Sequence, residues 1–259
     1  MEPTPEDKMQ VIGDRLWPYV SLLLFLPTPE SRNDQVLASA TISFIDTGSA
    51  QLAVTCAHVY SEFIEIKHTY PDAALAISGR NGTPPSLLLD PQPIELVASS
   101  VYDVVAIRLS DPESVLQAGK KFINGESWPP SPVAAGERVA FVGYPGIHRM
   151  PSDRGLEAFP SVFCEFATSV NDRNILIVDE YNSRVAYQGA PNIKPLNDLR
   201  GMSGSLLCAI SDRVEIRPVG IVYEVSHETR REGYRSSIFS THLKYLKADG
   251  TIDHLALPY

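Results

Sequence analysis

A rich complement of cysteine, a long apolar run and an excess of positive charge are all missing from this chain of 259 residues. Its three cysteines, Cys56, Cys164 and Cys208, cannot all pair, and none has the close cysteine neighbour of a metal knuckle. A disulfide scaffold is thereby excluded, and the expectation is three small thiols in a reducing, cytoplasmic compartment. The longest apolar stretch, Val20 to Leu26, is interrupted by Ser21 and stopped by Pro27, well short of the roughly 20 residues of a membrane helix. The acidic start, Met1-Glu2-Pro3-Thr4-Pro5-Glu6-Asp7, has no basic-then-apolar leader pattern. With 31 acidic against 22 basic side chains and a formal charge of −9, neither nucleic acid nor an anionic membrane is an expected partner. No cofactor or metal is expected either, and the sequence sets no oligomeric state.

What the chain does have is punctuation. Its 21 prolines and 16 glycines are scattered rather than clustered, which favours many short strands over long helices. Strands are expected over Tyr19–Leu26, Val36–Ile45, Gln51–Cys56, Phe63–Lys67, Ala74–Ser78, Ile94–Ser99 and Val104–Leu109. The second and third of these form a hairpin about Asp46-Thr47-Gly48-Ser49. A connector follows over residues 110–135, with a short helical stretch at Glu113–Lys120 and then Trp128-Pro129-Pro130-Ser131-Pro132, which cannot lie inside a sheet. Further strands are expected over Arg138–Val142, Val162–Val170, Ile175–Val178, Leu206–Ile210, Arg217–Tyr223 and Ser236–Ser240, then a helix over Thr241–Lys247. The resulting division is a flexible or loosely docked lead-in (1–16), a first β-barrel (17–125), and a second β-barrel with a terminal helix and tail (126–259).

Three residues in this pattern carry chemistry. His58 follows the strand ending at Cys56, Asp103 opens the run to Leu109, and Ser203 lies between Gly201 and Gly204. Forty-five residues separate His58 from Asp103, and 100 separate Asp103 from Ser203. A serine hydroxyl becomes a nucleophile only beside a base, and imidazole is suited to that near neutral pH. A carboxylate on the other ring nitrogen fixes the tautomer. The oxyanion formed on attack needs donors already in place, and the amides of Gly201 and Ser203 are the candidates.

The surrounding residues carry a resemblance. Thr55-Cys56-Ala57-His58 resembles the T-A-A-H segment of chymotrypsin/trypsin-like serine peptidases. Asp103-Val104-Val105-Ala106-Ile107 is similar to that family's D-[IV]-A-[VL] strand, with one extra apolar residue. Gly201-Met202-Ser203-Gly204-Ser205 resembles G-D-S-G-G. Weaker echoes are Arg138–Gly146, similar to the V-x-x-x-G-[YW]-P strand of bacterial members, and Val219-Gly220-Ile221-Val222, similar to G-[IV]-V. The resemblance spans residues 17–245. It implies an all-β fold, a double six-stranded antiparallel β-barrel with a short C-terminal helix, and a serine endopeptidase acting on protein or peptide through an acyl-enzyme. Met202 stands where cleavage-activated members have an aspartate that pairs with the new amino terminus, so that mode of activation is not expected. The resemblance also puts Asn197, Asp198, Tyr223, Glu224 and Val225 at the substrate pocket. If Asn197 or Asp198 reached its floor, a basic or polar side chain would be favoured there.

Two other functions compete. In an α/β-hydrolase the order is Ser, Asp, His around a G-x-S-x-G elbow. Here Ser205 replaces its last glycine, and only 56 residues follow Ser203. The second alternative is a protease-fold module that binds protein or peptide with little or no turnover.

Overall fold

The computed structural model describes residues 5–31, 35–78, 87–89, 91–98, 102–124, 127–152, 155–179, 185–187, 200–230 and 233–257. Two curled, largely antiparallel sheets make up the molecule, and together they fit a chymotrypsin-like double-barrel fold.

The first sheet contains β1 (Val20–Leu26), β2 (Ala38–Asp46), β3 (Gln51–Thr55), β4 (Ala74–Ile77), β5 (Leu87–Leu89), β6 (Pro91–Ala98), β7 (Asp103–Leu109) and β8 (Ile123–Asn124). Its strand order is β5-β4-β1-β2-β3-β7-β6, and β8 pairs with β2 in parallel. The second sheet contains β9 (Arg138–Gly143), then, past a small hairpin of β10 (Arg149–Ser152) and β11 (Gly155–Ala158), β12 (Ser161–Phe166), β13 (Ser169–Val170), β14 (Ile175–Asp179), β15 (Val185–Tyr187), β16 (Leu206–Ile210), β17 (Ile216–Arg230) and β18 (Gly233–His242). Its order is β13-β14-β18-β17-β16-β9-β12-β15. Each sheet thus has eight strands among the described residues, against the six expected per barrel, because short edge strands extend both.

Neither sheet has a wet face at its centre. Val139 and Phe141 of β9 and Leu207 and Ala209 of β16 fill the second core, with Phe163, Ile177, Val219 and Met202. Their neighbours Ala140, Val142, Leu206 and Cys208 point the other way and join the larger core that includes the first sheet. Alternation along one strand therefore serves two apolar layers, and this is why β16 is buried at every residue.

Helices depart most from expectation. Within the lead-in, Pro5–Leu16 forms α1, with Ile12 5% and Leu16 1% exposed, packed against β9, β12 and β15. Phe63–Lys67 is not a strand but part of α2 (Ala57–Thr69), whose buried side is Ala57, Val59, Tyr60 and Phe63. In the connector, α3 (Pro112–Gln117) begins at Asp111, which accepts from the Ser114 amide. The expected terminal helix over Thr241–Lys247 is a single 3-10 turn at Leu243–Tyr245, because β18 continues to His242. From there the chain returns to the first sheet. Thr47 Oγ1 donates to Ala248 O at 2.5 Å, and Trp128 Nε1 donates to Leu246 O at 2.7 Å.

All three cysteines are free thiols. Among the described residues no helix is long and apolar enough to cross a membrane.

Candidate active site

His58 is placed by the start of a helix. β3 ends at Thr55, Cys56 forms the extended entry to α2, and His58 is the second helical residue, on the side away from the buried Val59 and Phe63. Asp103 comes from the start of β7, which pairs with β3 through Thr55 and Val105. The pairing brings the carboxylate beneath the imidazole. Asp103 Oδ1 accepts the His58 main-chain N–H at 3.0 Å, and Oδ2 is in short hydrogen-bond contact with ring Nδ1. A carboxylate only accepts, so Nδ1 carries the proton and Nε2 keeps its lone pair. The His58 side chain is 49% exposed and that of Asp103 14%. The Asp103 hydrogen bond raises the His58 pKa above its ordinary 6.5, against a smaller opposing effect of burial.

Ser203 lies on a loop whose path depends on two glycines. Gly201 has φ +91° and Gly204 φ +93°, a region that disfavours residues with a Cβ. At Gly204 a Cβ would lie 2.0 Å from Thr41 O and 2.5 Å from Thr55 Oγ1. The loop is sewn to the first sheet. Thr41 N donates to Ser203 O at 3.2 Å, Ser43 Oγ to Gly204 O at 2.7 Å, and Thr41 Oγ1 to Gly201 O at 2.9 Å. Val222 O joins the parts once more, accepting from the Gly204 amide at 2.9 Å and from the Cys56 thiol at 3.2 Å. With Thr55 Oγ1 donating to Thr41 O at 2.8 Å, these bonds explain why Thr41, Ser43 and Thr55 can be buried in otherwise apolar strands. Polar residues at alternate positions of β2, Ser39, Thr41 and Ser43, are the sign of this lattice in the sequence.

The Ser203 hydroxyl donates to Tyr223 O at 3.2 Å rather than to the His58 ring. Tyr223 sits at a register shift between β17 and β18, which takes it out of the ladder. Burial, above all, raises its phenol pKa. Among the described residues, the main-chain N–H groups of Gly201 and Ser203 donate to no other group. Of the expected pocket residues, Tyr223 and Val225 are half-buried and Glu224 is exposed. Asn197 and Asp198 lie outside the described residues.

Ligand atoms of Cys56, His58 and Asp103 all lie within 4.8 Å of one another. The donor set suits a metal poorly. Burial first, and then the Asp103 charge, pushes the Cys56 thiol far up, and its proton is engaged with Val222 O.

The class that the two sheets fit is a mostly-β protein of double-barrel architecture, in which the segment before His58 and the glycine-framed serine loop both bond to Val222 O. No protein-family model and no curated protein matches the chain. Among solved structures, one from a study of aromatic interactions in the coupled folding and binding of the intrinsically disordered Sesbania mosaic virus VPg protein overlays loosely. It covers 90% of this chain and 91% of that chain, at 13% identity and a TM-score of 0.44.

Proposed function

We propose that the protein is a serine-type endopeptidase. The observation that carries the reading is the double grip of Asp103 on His58, which leaves Nε2 of the ring free of that grip, together with a serine loop whose Gly201 and Ser203 amides donate to no other group among the described residues. In this mechanism Ser203 Oγ leaves Tyr223 O and gives its hydrogen bond to His58 Nε2 when substrate enters. Oγ then attacks the peptide carbonyl while Nε2 takes its proton. The Gly201 and Ser203 amides hold the oxyanion. Collapse expels the amine, which receives the proton from His58, and leaves an ester on Ser203. Water, deprotonated by the same ring, releases the acid. In this reading Tyr223, Glu224 and Val225 of β17 border the substrate channel. Protein or peptide is the substrate, and with its three free thiols the chain is suited to the cytoplasm.

A second reading, a binding module with little turnover, is favoured by one observation: the Ser203 hydroxyl is engaged with a carbonyl rather than with the base. A fluorophosphonate probe separates the two. The enzyme is labelled at Ser203, and Ser203→Ala abolishes labelling. A well-folded wild-type protein that takes no label, yet binds peptide, is the module.

A further inference from the structure

The nucleophile loop of this chain has an unusual anchor. Met202 is fully buried in the second apolar core, so no ion pair holds the loop at that residue. Arg149 of β10 reaches the loop instead. Its Nη2 donates to Tyr144 O at 2.5 Å and to Gly201 O at 3.2 Å. Its Nη1 donates to Ser39 O at 2.6 Å and to Ser39 Oγ at 2.7 Å. One guanidinium thus joins β2 of the first sheet, the segment after β9, and the serine loop. Among the described residues no carboxylate faces it, and its partners are carbonyls and a hydroxyl. Such a set suits a planar five-donor fork.

The peptide on the other side of Gly201 is held as well. The Gly146 amide donates to Arg200 O at 2.7 Å. That peptide bond is trans, so the N–H of Gly201 points away from the carbonyl that Gly146 holds. Two successive peptide planes, Arg200–Gly201 and Gly201–Met202, are therefore fixed by donors outside the loop. Gly201 fits between those donors only because it lacks a side chain. A Cβ there would lie 2.5 Å from Arg149 Nη2 and 3.0 Å from Gly146 N.

We propose that Arg149 and the Gly146 amide are a positioning device that keeps the Gly201 amide facing the reacting carbonyl. They would give the loop a preformed oxyanion site in place of the ion pair that cleavage-activated peptidases assemble. The proposal rests on the reading of Ser203 as nucleophile. Neither group touches substrate, and both act through Gly201.

The test uses the full chain and measures the rate of fluorophosphonate labelling across pH 5.5 to 8.5 in wild type, Arg149→Lys and Gly146→Pro. Lysine keeps the charge but cannot span four acceptors. Proline suits the backbone at residue 146, which opens a 3-10 turn after Pro145 at φ −64° and ψ 142°. Its ring displaces the N–H that Arg200 O uses. The expected result is cooperative melting in both variants and an unchanged pH midpoint, which reports His58. The plateau rate should fall about 100-fold in Gly146→Pro, as for loss of one oxyanion donor, and about tenfold in Arg149→Lys. Plateau rates within about threefold of wild type in both variants overturn the proposal. So does loss of cooperative melting in both, which would make the two groups structural only. An unlabelled wild type refutes the nucleophile reading itself, a result distinct from either.

Discussion

Asp103 holds His58 at two points, with one carboxylate oxygen on the main-chain N–H and the other on the ring. The first bond fixes where the helix begins, and the second fixes which ring nitrogen is left basic. A single side chain thereby couples backbone position to protonation state, and its removal should separate the two.

Asp103→Asn is the direct check. Serine attack needs a neutral imidazole, so wild-type labelling should rise through a midpoint above 6.5 and disappear toward acid. In Asp103→Asn the His58 titration midpoint, read by NMR, should move down. The labelling plateau should fall by about 10⁴, because the tautomer is no longer fixed. For stability the sign is opposite. A raised histidine pKa contributes below the unfolded value and loses that contribution as pH rises through the folded one. The ring is half-exposed, so this stability effect should be slight.

Met202 can be tested against the residue of the resembling family. Met202→Asp would place a carboxylate among Val139, Phe141 and Phe163, with a cost of about 3 kcal/mol or more in the unfolding free energy read from urea melts. Met202→Leu, similar in volume, should stay within about 1.5 kcal/mol of wild type. Equal stabilities for the two variants would contradict the burial.

Lys120 provides a second pH signature. It is 3% exposed, its Nζ donates to Val20 O at 2.7 Å, and burial lowers its pKa to about 8. The folded protein therefore releases a proton near pH 8 that the unfolded chain keeps to about 10.5. Between those values stability should gain up to about 1.4 kcal/mol per pH unit from this group. Tyrosines and thiols titrate in the same range, so the effect is read as the difference from Lys120→Met, whose slope should be lower. Identical slopes would show that Lys120 is not held in a dry setting.

Legibility varied with the kind of partner each residue has. His58, Asp103 and Ser203 could be singled out because each sits in a distinctive local string, and the structure joins the first two directly. Their assignment as a catalytic set remains our proposal. The sheets were readable from turn residues and β-branched runs. α2 stands where a strand was expected because Ile64-Glu65-Ile66-Lys67 alternates with period two, whereas burial of Val59, Tyr60 and Phe63 selects the helix. α1 did carry a signal, Pro5 at its start and then Met9, Ile12 and Leu16 at helical spacing. Arg149 carried none. Its acceptors include main-chain carbonyls, which every sequence possesses, so nothing in the residue string marks its destination.

The shared acceptor at Val222 bears on how such a site can be inherited or engineered. One carbonyl receives the thiol that precedes His58 and the amide that follows Ser203. The five residues around the serine are consequently not a portable cassette. Grafted onto a foreign second half, they would bring a hydroxyl without the bearings that aim it. The smallest transferable unit is the pair of halves with the seam between them, and recombination at the proline-rich connector would have to preserve both edges of that seam.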